Sequence, residues 1–319
     1  MQESQLIFIV SQPRSGSTYL QNILSNNLHV NTTSEPWILL NFANQLKSDL
    51  IEGSFDNQAA QNAFNEYLLK YKALNFKQEF KKLLLKLYEP MLEGGFSYVI
   101  DKTPRYWEII DELNNLFPES KIIVLKRNPV SVLKSMIKTW QINDLERLAN
   151  LKRDILYAPQ VLHNFCEKNK DNKNVYALKY EDLLENKQSE IEKIYIWLGI
   201  DFDDGYLNTS ANDKFKGAFG DPYQNKNVKK KVEAELLGEN FENLKRGYVN
   251  YLSNDFLYDY GEYPKQESEP TTEFDEFLKM EYAELMLKEK ELLRLKNSLA
   301  YKIGKTLLAP FGLLNKNKG

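Results

Sequence analysis

Three basic side chains stand at the ends of three apolar segments in this sequence of 319 residues. They are Arg14 after residues 6–10, Lys102 after residues 96–100, and Arg127 at the end of residues 121–126. Short apolar segments are typical of buried strands, and parallel strands bring their carboxyl ends to one edge of a sheet. Lysine and arginine bind phosphate and sulfate groups, arginine through a planar fork of donors. The pattern therefore predicts a ligand with several anionic groups at that edge.

The first of these segments is followed by a polar turn, PRSGST at residues 13–18, and by apolar residues with helical spacing over 20–24. The start of a helix carries N–H groups without intrahelical partners and the positive end of the dipole, so this geometry favours an anion. The turn is not a Walker A loop, because it has one glycine and no lysine. Arg14 would supply the positive charge instead. The alternative is an ordinary turn in which Ser17 or Thr18 caps the helix.

Two further residues could take part in chemistry at this edge. Glu35 precedes Pro36, which disfavours helical backbone at Glu35 and places its carboxylate at a bend of the chain. The residues alone favour an acid that caps a helix over residues 38–46, as the alternative to a functional carboxylate at the bend. Ser135 follows Arg127 by eight residues, about two turns into the next helix.

The composition excludes several classes of protein. A formal net charge of −3 argues against a nucleic-acid-binding protein. Cys166 is the only cysteine, so there is no disulfide framework and the reducing cytosol fits. His29 and His163 lack metal-ligand spacing, so we expect no metal. The N-terminus lacks the basic start of a signal peptide and no run of eighteen apolar residues occurs, so we expect no signal peptide and a soluble cytoplasmic chain.

Four apolar strands separated by helical stretches predict an α/β fold, a doubly wound parallel sheet flanked by helices. The strands are expected over residues 6–10, 96–100, 121–126 and 174–178, and residues 29–33 form either a fifth strand or an extended loop. We expect one domain over residues 1–264, a linker over 265–273 and a helical tail over 274–319. Leucines recur every seven residues in the tail, which allows self-association as a coiled coil. Its basic and apolar end also suits peripheral contact with the inner face of a membrane, or docking on its own domain.

Four motifs in this order resemble those of the sulfotransferases that use 3′-phosphoadenosine 5′-phosphosulfate (PAPS). They are PRSGST at residues 13–18, similar to the 5′-phosphosulfate loop; LKRNP at 125–129 with Ser135, similar to the 3′-phosphate motif; DKTPRYW at 101–107; and YEDL at 180–183. The third is similar to a stretch of the heparan sulfate sulfotransferases. The resemblance covers about residues 6–200 and implies a P-loop-like sulfotransferase fold.

The resemblance also implies a role for each candidate residue. The donor-binding residues would be Arg14, Ser15, Gly16, Ser17 and Thr18 at the 5′-phosphosulfate, and Arg127 and Ser135 at the 3′-phosphate. Glu35 falls where the heparan sulfate and tyrosylprotein branches have their general base, and Lys102 and Arg14 would assist catalysis. The cytosolic small-molecule branch instead has a histidine two residues after a lysine, and Pro104 occupies that place here.

The expected reaction is therefore sulfuryl transfer from PAPS to a hydroxyl, with a carbohydrate or glycolipid acceptor as in the glycan branches, including bacterial ones. Protein tyrosine and a small alcohol are alternative acceptors. Two other functions stay open at this point: a P-loop nucleotide kinase, and a nucleotide-binding protein of this fold without catalysis. The missing Walker lysine argues against the kinase. Intact Arg14, Glu35 and Lys102 argue against the non-catalytic protein.

Overall fold

The computed structural model describes residues 1–51, 53–71, 75–207, 239–252 and 274–280. Its centre is a parallel sheet of five strands in the order β2-β3-β1-β4-β5. The strands are β1 (Leu6–Ser11), β2 (Val30–Thr32), β3 (Tyr98–Lys102), β4 (Lys121–Lys126) and β5 (Val175–Lys179). The four strands that the apolar segments predict are confirmed, and the stretch at 29–33 forms the fifth.

Strand β1 lies in the middle of the sheet and is buried along its whole length. Its side chains alternate between the two faces, as the period of a strand requires. Leu6, Phe8 and Val10 belong to one core cluster, and Ile7 and Ile9 belong to another on the opposite face. A parallel strand covered on both faces reads as a continuous apolar run, which is why the sequence signal is so plain here.

Helices cover both faces of the sheet. They are α1 (Ser17–Leu24), α2 (Ala43–Leu46), α3 (Asn57–Lys70), α4 (Phe76–Tyr88), α5 (Ile110–Leu116), α6 (Pro129–Trp140), α7 (Leu145–Ala149), α8 (Ala158–Lys168), α9 (Tyr180–Glu185), α10 (Lys187–Leu198) and α11 (Glu239–Tyr251). Helices α1, α9 and α10 pack on the face of Ile7, and α4, α5 and α8 pack on the face of Phe8. The helix that capping by Glu35 would require over 38–46 is instead a 3₁₀ helix, Leu39–Phe42, followed by the four residues of α2.

A third cluster joins α6 and α11 to residues 274–280, which are helical. Phe274 and Phe277 are almost fully buried in it. A Cβ on Gly247 would lie 2.3 Å from the Cβ of Phe274, so the glycine permits this close packing. The coiled-coil and membrane-surface predictions concern the rest of the tail, and residues 281–319, like the predicted linker 265–273, lie outside the described residues.

Two smaller features concern the single cysteine and the described helices. Cys166 is buried, and burial raises the pKa of its thiol to about 11, which is typical of a cysteine that acts as a small apolar residue. None of the described helices is long and apolar enough to cross a membrane.

Candidate active site

A cavity of about 300 Å³ opens at the carboxyl ends of β1 and β4. Its lining consists of the turn after β1, the bend after β2, the start of the segment after β3, and residues from α6 and α9. These residues are Pro13, Arg14, Gly16, Ser17, Thr18, Tyr19, Glu35, Trp37, Pro104, Arg105, Arg127, Ser135, Trp140 and Tyr180. Of the nine candidate residues, seven line the cavity. Lys102 and Ser15 do not, and each is described below.

The turn between β1 and α1 is built on two left-handed residues, Arg14 with φ 71° and Gly16 with φ 91°. Arginine adopts this conformation at an energetic cost, and such residues are concentrated at functional sites. Gly16 is the N-cap of α1 and makes no side-chain capping bond, so the alternative in which Ser17 or Thr18 caps the helix is wrong. The N–H of Tyr19 donates to the Gly16 carbonyl at 2.9 Å, and this bond begins the hydrogen bonding of the helix.

Ser15 contributes to the turn through its backbone, where its N–H donates to the carbonyl of Gln12 at 3.2 Å. Its side chain is fully buried and faces a second, very small cavity beside Leu125 and Leu162. Of the residues predicted to hold the 5′-phosphosulfate, Ser15 is therefore the one whose hydroxyl points away from the main cavity.

Tyr180 packs directly against the turn. A Cβ on Gly16 would lie 2.2 and 2.4 Å from two carbons of the Tyr180 ring, so no other residue fits there without movement. The Arg127 guanidinium lies 4.6 Å from the centre of the same ring. Arg127 also donates from Nη1 to the carbonyl of Arg14 at 3.0 Å. The ends of β1, β4 and β5 are thus joined through one aromatic ring and one guanidinium.

Lys102 and Glu35 form an ion pair at the other end of the cavity, with Nζ 2.8 Å from Oε1. The lysine is 1% exposed and the glutamate 17% exposed, so water screens this pair weakly. The second oxygen, Oε2, accepts the indole N–H of Trp37 at 3.2 Å. Lys102 therefore reaches the site through Glu35 rather than by lining the cavity, and the capping role considered for Glu35 is wrong.

Asp101, the neighbour of Lys102 on β3, faces the other side of the sheet. Its carboxylate accepts hydroxyl bonds from Tyr88 at 2.6 Å and from Tyr106 and Thr103 at 2.8 Å. Burial raises its pKa to about 6, against the lowering effect of these bonds and of Lys102. Tyr106 in turn accepts the N–H of Leu39 at 3.0 Å. This network therefore ties β3 to the bend that carries Glu35.

Gln21 fixes the same bend from α1. Its side-chain amide is fully buried and donates to Thr32 Oγ1 at 2.7 Å and to the carbonyl of Thr33 at 2.8 Å. Thr32 Oγ1 donates to the Ile100 carbonyl at 2.9 Å. The end of β2 is therefore attached both to the helix that begins at the turn and to the strand that carries Lys102.

The sequence analysis did not assign functions to Trp37, Arg105, Trp140 or Tyr180. Tyr180 comes directly after β5, so the strand-end argument used for Arg14 and Arg127 applies to it as well. Arg105 lies in the DKTPRYW stretch, three residues beyond Lys102. Trp37 and Trp140 have no sequence signal beyond closeness to Glu35 and Ser135. Across the described ranges, no group of three or more histidine, cysteine, aspartate or glutamate side chains is placed to hold a metal ion.

The fold and the site define an α/β protein with a P-loop-like strand–turn–helix and a cationic cavity at the carboxyl edge of its parallel sheet. A family model described as the sulfotransferase family matches residues 6–204. The chain belongs to the sulfotransferase family, and the resemblance seen in the sequence motifs is confirmed at this level.

The chain is also similar to individual proteins. The chain is 26% identical over 213 residues to nodulation protein NoeE of Sinorhizobium fredii, an alignment that covers 61% of this chain and 50% of NoeE. The chain thus spans about half the length of this curated relative. Similar solved structures include the sulfotransferase domain from the curacin biosynthetic pathway, at 18% identity and a TM-score of 0.44, covering 86% of this chain and 96% of that one. Mouse sulfotransferase SULT7A1 complexed with PAP is 18% identical with a TM-score of 0.41, covering 81% and 82%.

Proposed function

We propose that this protein transfers a sulfuryl group from PAPS to a hydroxyl of a carbohydrate or glycolipid. The observation that carries the proposal is the content of one cavity: the strand-end arginines Arg14 and Arg127 lie on its wall together with Glu35, which is paired to Lys102. Two separate cationic groups suit a donor with two anionic ends. A carboxylate beside an ammonium suits proton transfer beside a leaving oxygen.

The donor-binding residues fit such a molecule in two places. At the turn, Arg14 and the N–H groups of residues 16–18 surround the N-terminus of α1, where a phosphosulfate would be stabilised by donors and by the helix dipole. At the other place, Arg127 is held by Tyr180 and by the Arg14 carbonyl, and Ser135 shares its cavity wall. These two residues would hold the 3′-phosphate that distinguishes PAPS from ATP.

In this proposal Glu35 accepts the proton of the acceptor hydroxyl while the acceptor oxygen bonds to sulfur in line. The bond between sulfur and the bridging oxygen of the donor breaks, and Lys102 donates to that oxygen as its charge grows. Lys102 does not line the cavity, so this contact requires its ammonium to turn toward the donor while one of its three N–H groups keeps the bond to Glu35. A sulfuryl group carries less charge than a phosphoryl group, so arginine, lysine and backbone N–H groups can stabilise the transition state without a magnesium clamp.

A carbohydrate acceptor is supported by the resemblance of the motifs to glycan sulfotransferases. It is also supported by Trp37 and Trp140 in the cavity wall, because indole rings offer apolar surface beside a polar N–H group. An acceptor screen with mass-spectrometric detection of an added sulfate tests this part. Transfer confined to tyrosine peptides or to small alcohols would contradict it.

We further propose a cytoplasmic location with peripheral membrane contact through the tail. Since Phe274 and Phe277 belong to the core, the comparison should use a chain that ends at residue 280. Flotation of the full chain with anionic liposomes, and loss of flotation on this truncation, would support the contact. Equal behaviour of the two chains would contradict it.

The catalytic assignment is tested by Glu35→Gln, which keeps the size of the side chain and removes the base. We expect kcat to fall by roughly 10²- to 10⁴-fold, the usual contribution of a general base. Binding of adenosine 3′,5′-bisphosphate, measured by calorimetry, should stay near the value of the unaltered protein. An unchanged kcat would remove Glu35 from this role.

A further inference from the structure

We infer that Trp37 is a positioning residue for the carboxylate of Glu35, and that Arg105 and Asp154 hold the Trp37 ring in place. The inference rests on the proposed function, since it concerns the base of that reaction. It is supported by a continuous line of contacts from the buried carboxylate of Asp154, through Arg105 and Trp37, to the carboxylate of Glu35 in the cavity.

The two oxygens of Glu35 have different donors. Oε1 is 2.8 Å from the ammonium of Lys102, and Oε2 accepts the indole N–H of Trp37 at 3.2 Å. A glutamate side chain turns about three bonds, and a single ion pair would leave the plane of its carboxylate free to rotate. A second donor from a fixed direction defines that plane. Oε1 is then the atom that stays beside Lys102, where the acceptor proton would be taken.

The backbone of Trp37 is held in a costly conformation. Trp37 has φ 52°, and a bulky residue in this left-handed region is a genuine outlier. Such a residue persists only where its surroundings outweigh the strain. The guanidinium of Arg105 lies 5.6 Å from the centre of the Trp37 ring. The cation and the indole attract each other, so Arg105 stabilises this placement of the ring.

Arg105 is fixed in turn by Asp154. Nε and Nη2 of Arg105 lie 2.9 and 2.7 Å from Asp154 Oδ2. The carboxylate of Asp154 is 5% exposed, and its other oxygen accepts the indole N–H of Trp107 at 3.0 Å. Trp37 donates to Glu35, Arg105 lies against the Trp37 ring, and Asp154 accepts from Arg105. The line therefore orients the base: Glu35 would meet the acceptor, and Trp37, Arg105 and Asp154 would act through it.

The kinetic test is a double-mutant cycle on the full chain. Transfer from PAPS to octyl β-D-glucopyranoside, a simple alkyl glycoside probe, is measured for Trp37→Phe, Glu35→Gln and the double variant. Trp37→Phe keeps an aromatic ring and removes the donor. We expect it to lower kcat about tenfold, the scale of one hydrogen bond to a charged group, with little change in the KM for PAPS.

The double variant distinguishes positioning from general structural damage. If Trp37 acts through Glu35, the double variant is no slower than Glu35→Gln alone, because the group being oriented is already gone. Independent losses that multiply would overturn the inference. Trp197→Phe is the matched control: its indole N–H also makes one bond, to the Lys173 carbonyl at 2.8 Å, far from the cavity, so its turnover should be unchanged.

NMR spectroscopy tests the hydrogen bond from Trp37 to Glu35 even if the alkyl glycoside is not a substrate. The chain has four tryptophans, so four indole N–H resonances are expected from the ¹⁵N-labelled protein. The resonance lost in Trp37→Phe should move upfield in Glu35→Gln, while that of Trp197 stays in place. A Trp37 resonance that ignores Glu35 would overturn the inference. Movement of the resonance without any transfer from PAPS would instead count against the proposed function.

Discussion

Replacing Gly16 with alanine should damage the turn after β1 in two separable ways. Gly16 has φ 91°, and an L-residue in this region costs about 1–2 kcal/mol. The new methyl group would also lie 2.2 Å from a ring carbon of Tyr180. Forcing extra volume into a packed place costs about 1–3 kcal/mol more. We therefore expect the free energy of unfolding to fall by about 2–5 kcal/mol.

Gly95 is the matched control. It has φ 90°, almost the same as Gly16, and a Cβ placed there meets nothing within 4 Å. Gly95→Ala should therefore lose only the backbone part, about 1–2 kcal/mol. Urea unfolding of both variants measures the difference, which is the cost of the contact with Tyr180. Equal losses in the two variants would refute this reasoning.

The same substitution should weaken donor binding. Tyr180 can escape the new methyl group only by moving, and its ring lies 4.6 Å from the Arg127 guanidinium. A displaced ring leaves Arg127 without this support, so calorimetry should show weaker binding of adenosine 3′,5′-bisphosphate to Gly16→Ala than to Gly95→Ala. In the double variant with Tyr180→Ala, the part of the stability lost to the clash should return. Bisphosphate affinity unchanged by Gly16→Ala would contradict the role of this contact.

Three further predictions concern buried or stacked side chains. Burial raises the pKa of Asp101 to about 6, so the folded state keeps this proton at pH values where the unfolded state has lost it. Through this group the free energy of unfolding should fall by about 3 kcal/mol in total as pH rises from well below 4 to well above 6, and urea unfolding of Asp101→Asn should lack that fall. Tyr88→Phe, which removes a 2.6 Å bond to Asp101, should cost about 1.5–3 kcal/mol at neutral pH and less at pH about 4, measured in the same way. Arg127→Lys loses the planar group that stacks on Tyr180, and calorimetry should show about tenfold weaker bisphosphate binding.

The strands and their charged ends could be predicted because both depend on local sequence. A strand covered on both faces is a short apolar run, and the residue that follows it must lie at the carboxyl edge of the sheet. This reasoning places Arg14 and Arg127 on one cavity wall, as the structure confirms. Helix boundaries are harder to predict: between residues 145 and 168 the chain is divided between α7, a π-helical turn at Arg153–Tyr157 and α8.

The contacts that orient the site could not be predicted in this way. Asp154 reaches Arg105 from 49 positions away, and Tyr180, directly after β5, meets Gly16, in the turn after β1, with β4 between the two strands in the sheet. No periodicity or spacing in the sequence encodes such pairs, because they depend on how helices pack after the sheet has formed. The direction of Asp101 shows the same limit. Its place beside Lys102 at a strand end suggests the crevice, and the alternation of the strand turns it to the opposite face.

The central claim is that one cavity holds an adenosine donor with anionic groups at the 5′ and 3′ positions of its ribose, Arg14 binding the 5′ group and Arg127 the 3′ group. Calorimetry of the full chain with adenosine 3′,5′-bisphosphate and with ADP tests it most directly. We predict tighter binding of the bisphosphate, about tenfold or more, and loss of that preference in Arg127→Met, since each ligand has two phosphates and only the bisphosphate places one of them at the 3′ position. Equal binding of the two nucleotides, or a preference that survives Arg127→Met, would contradict the account.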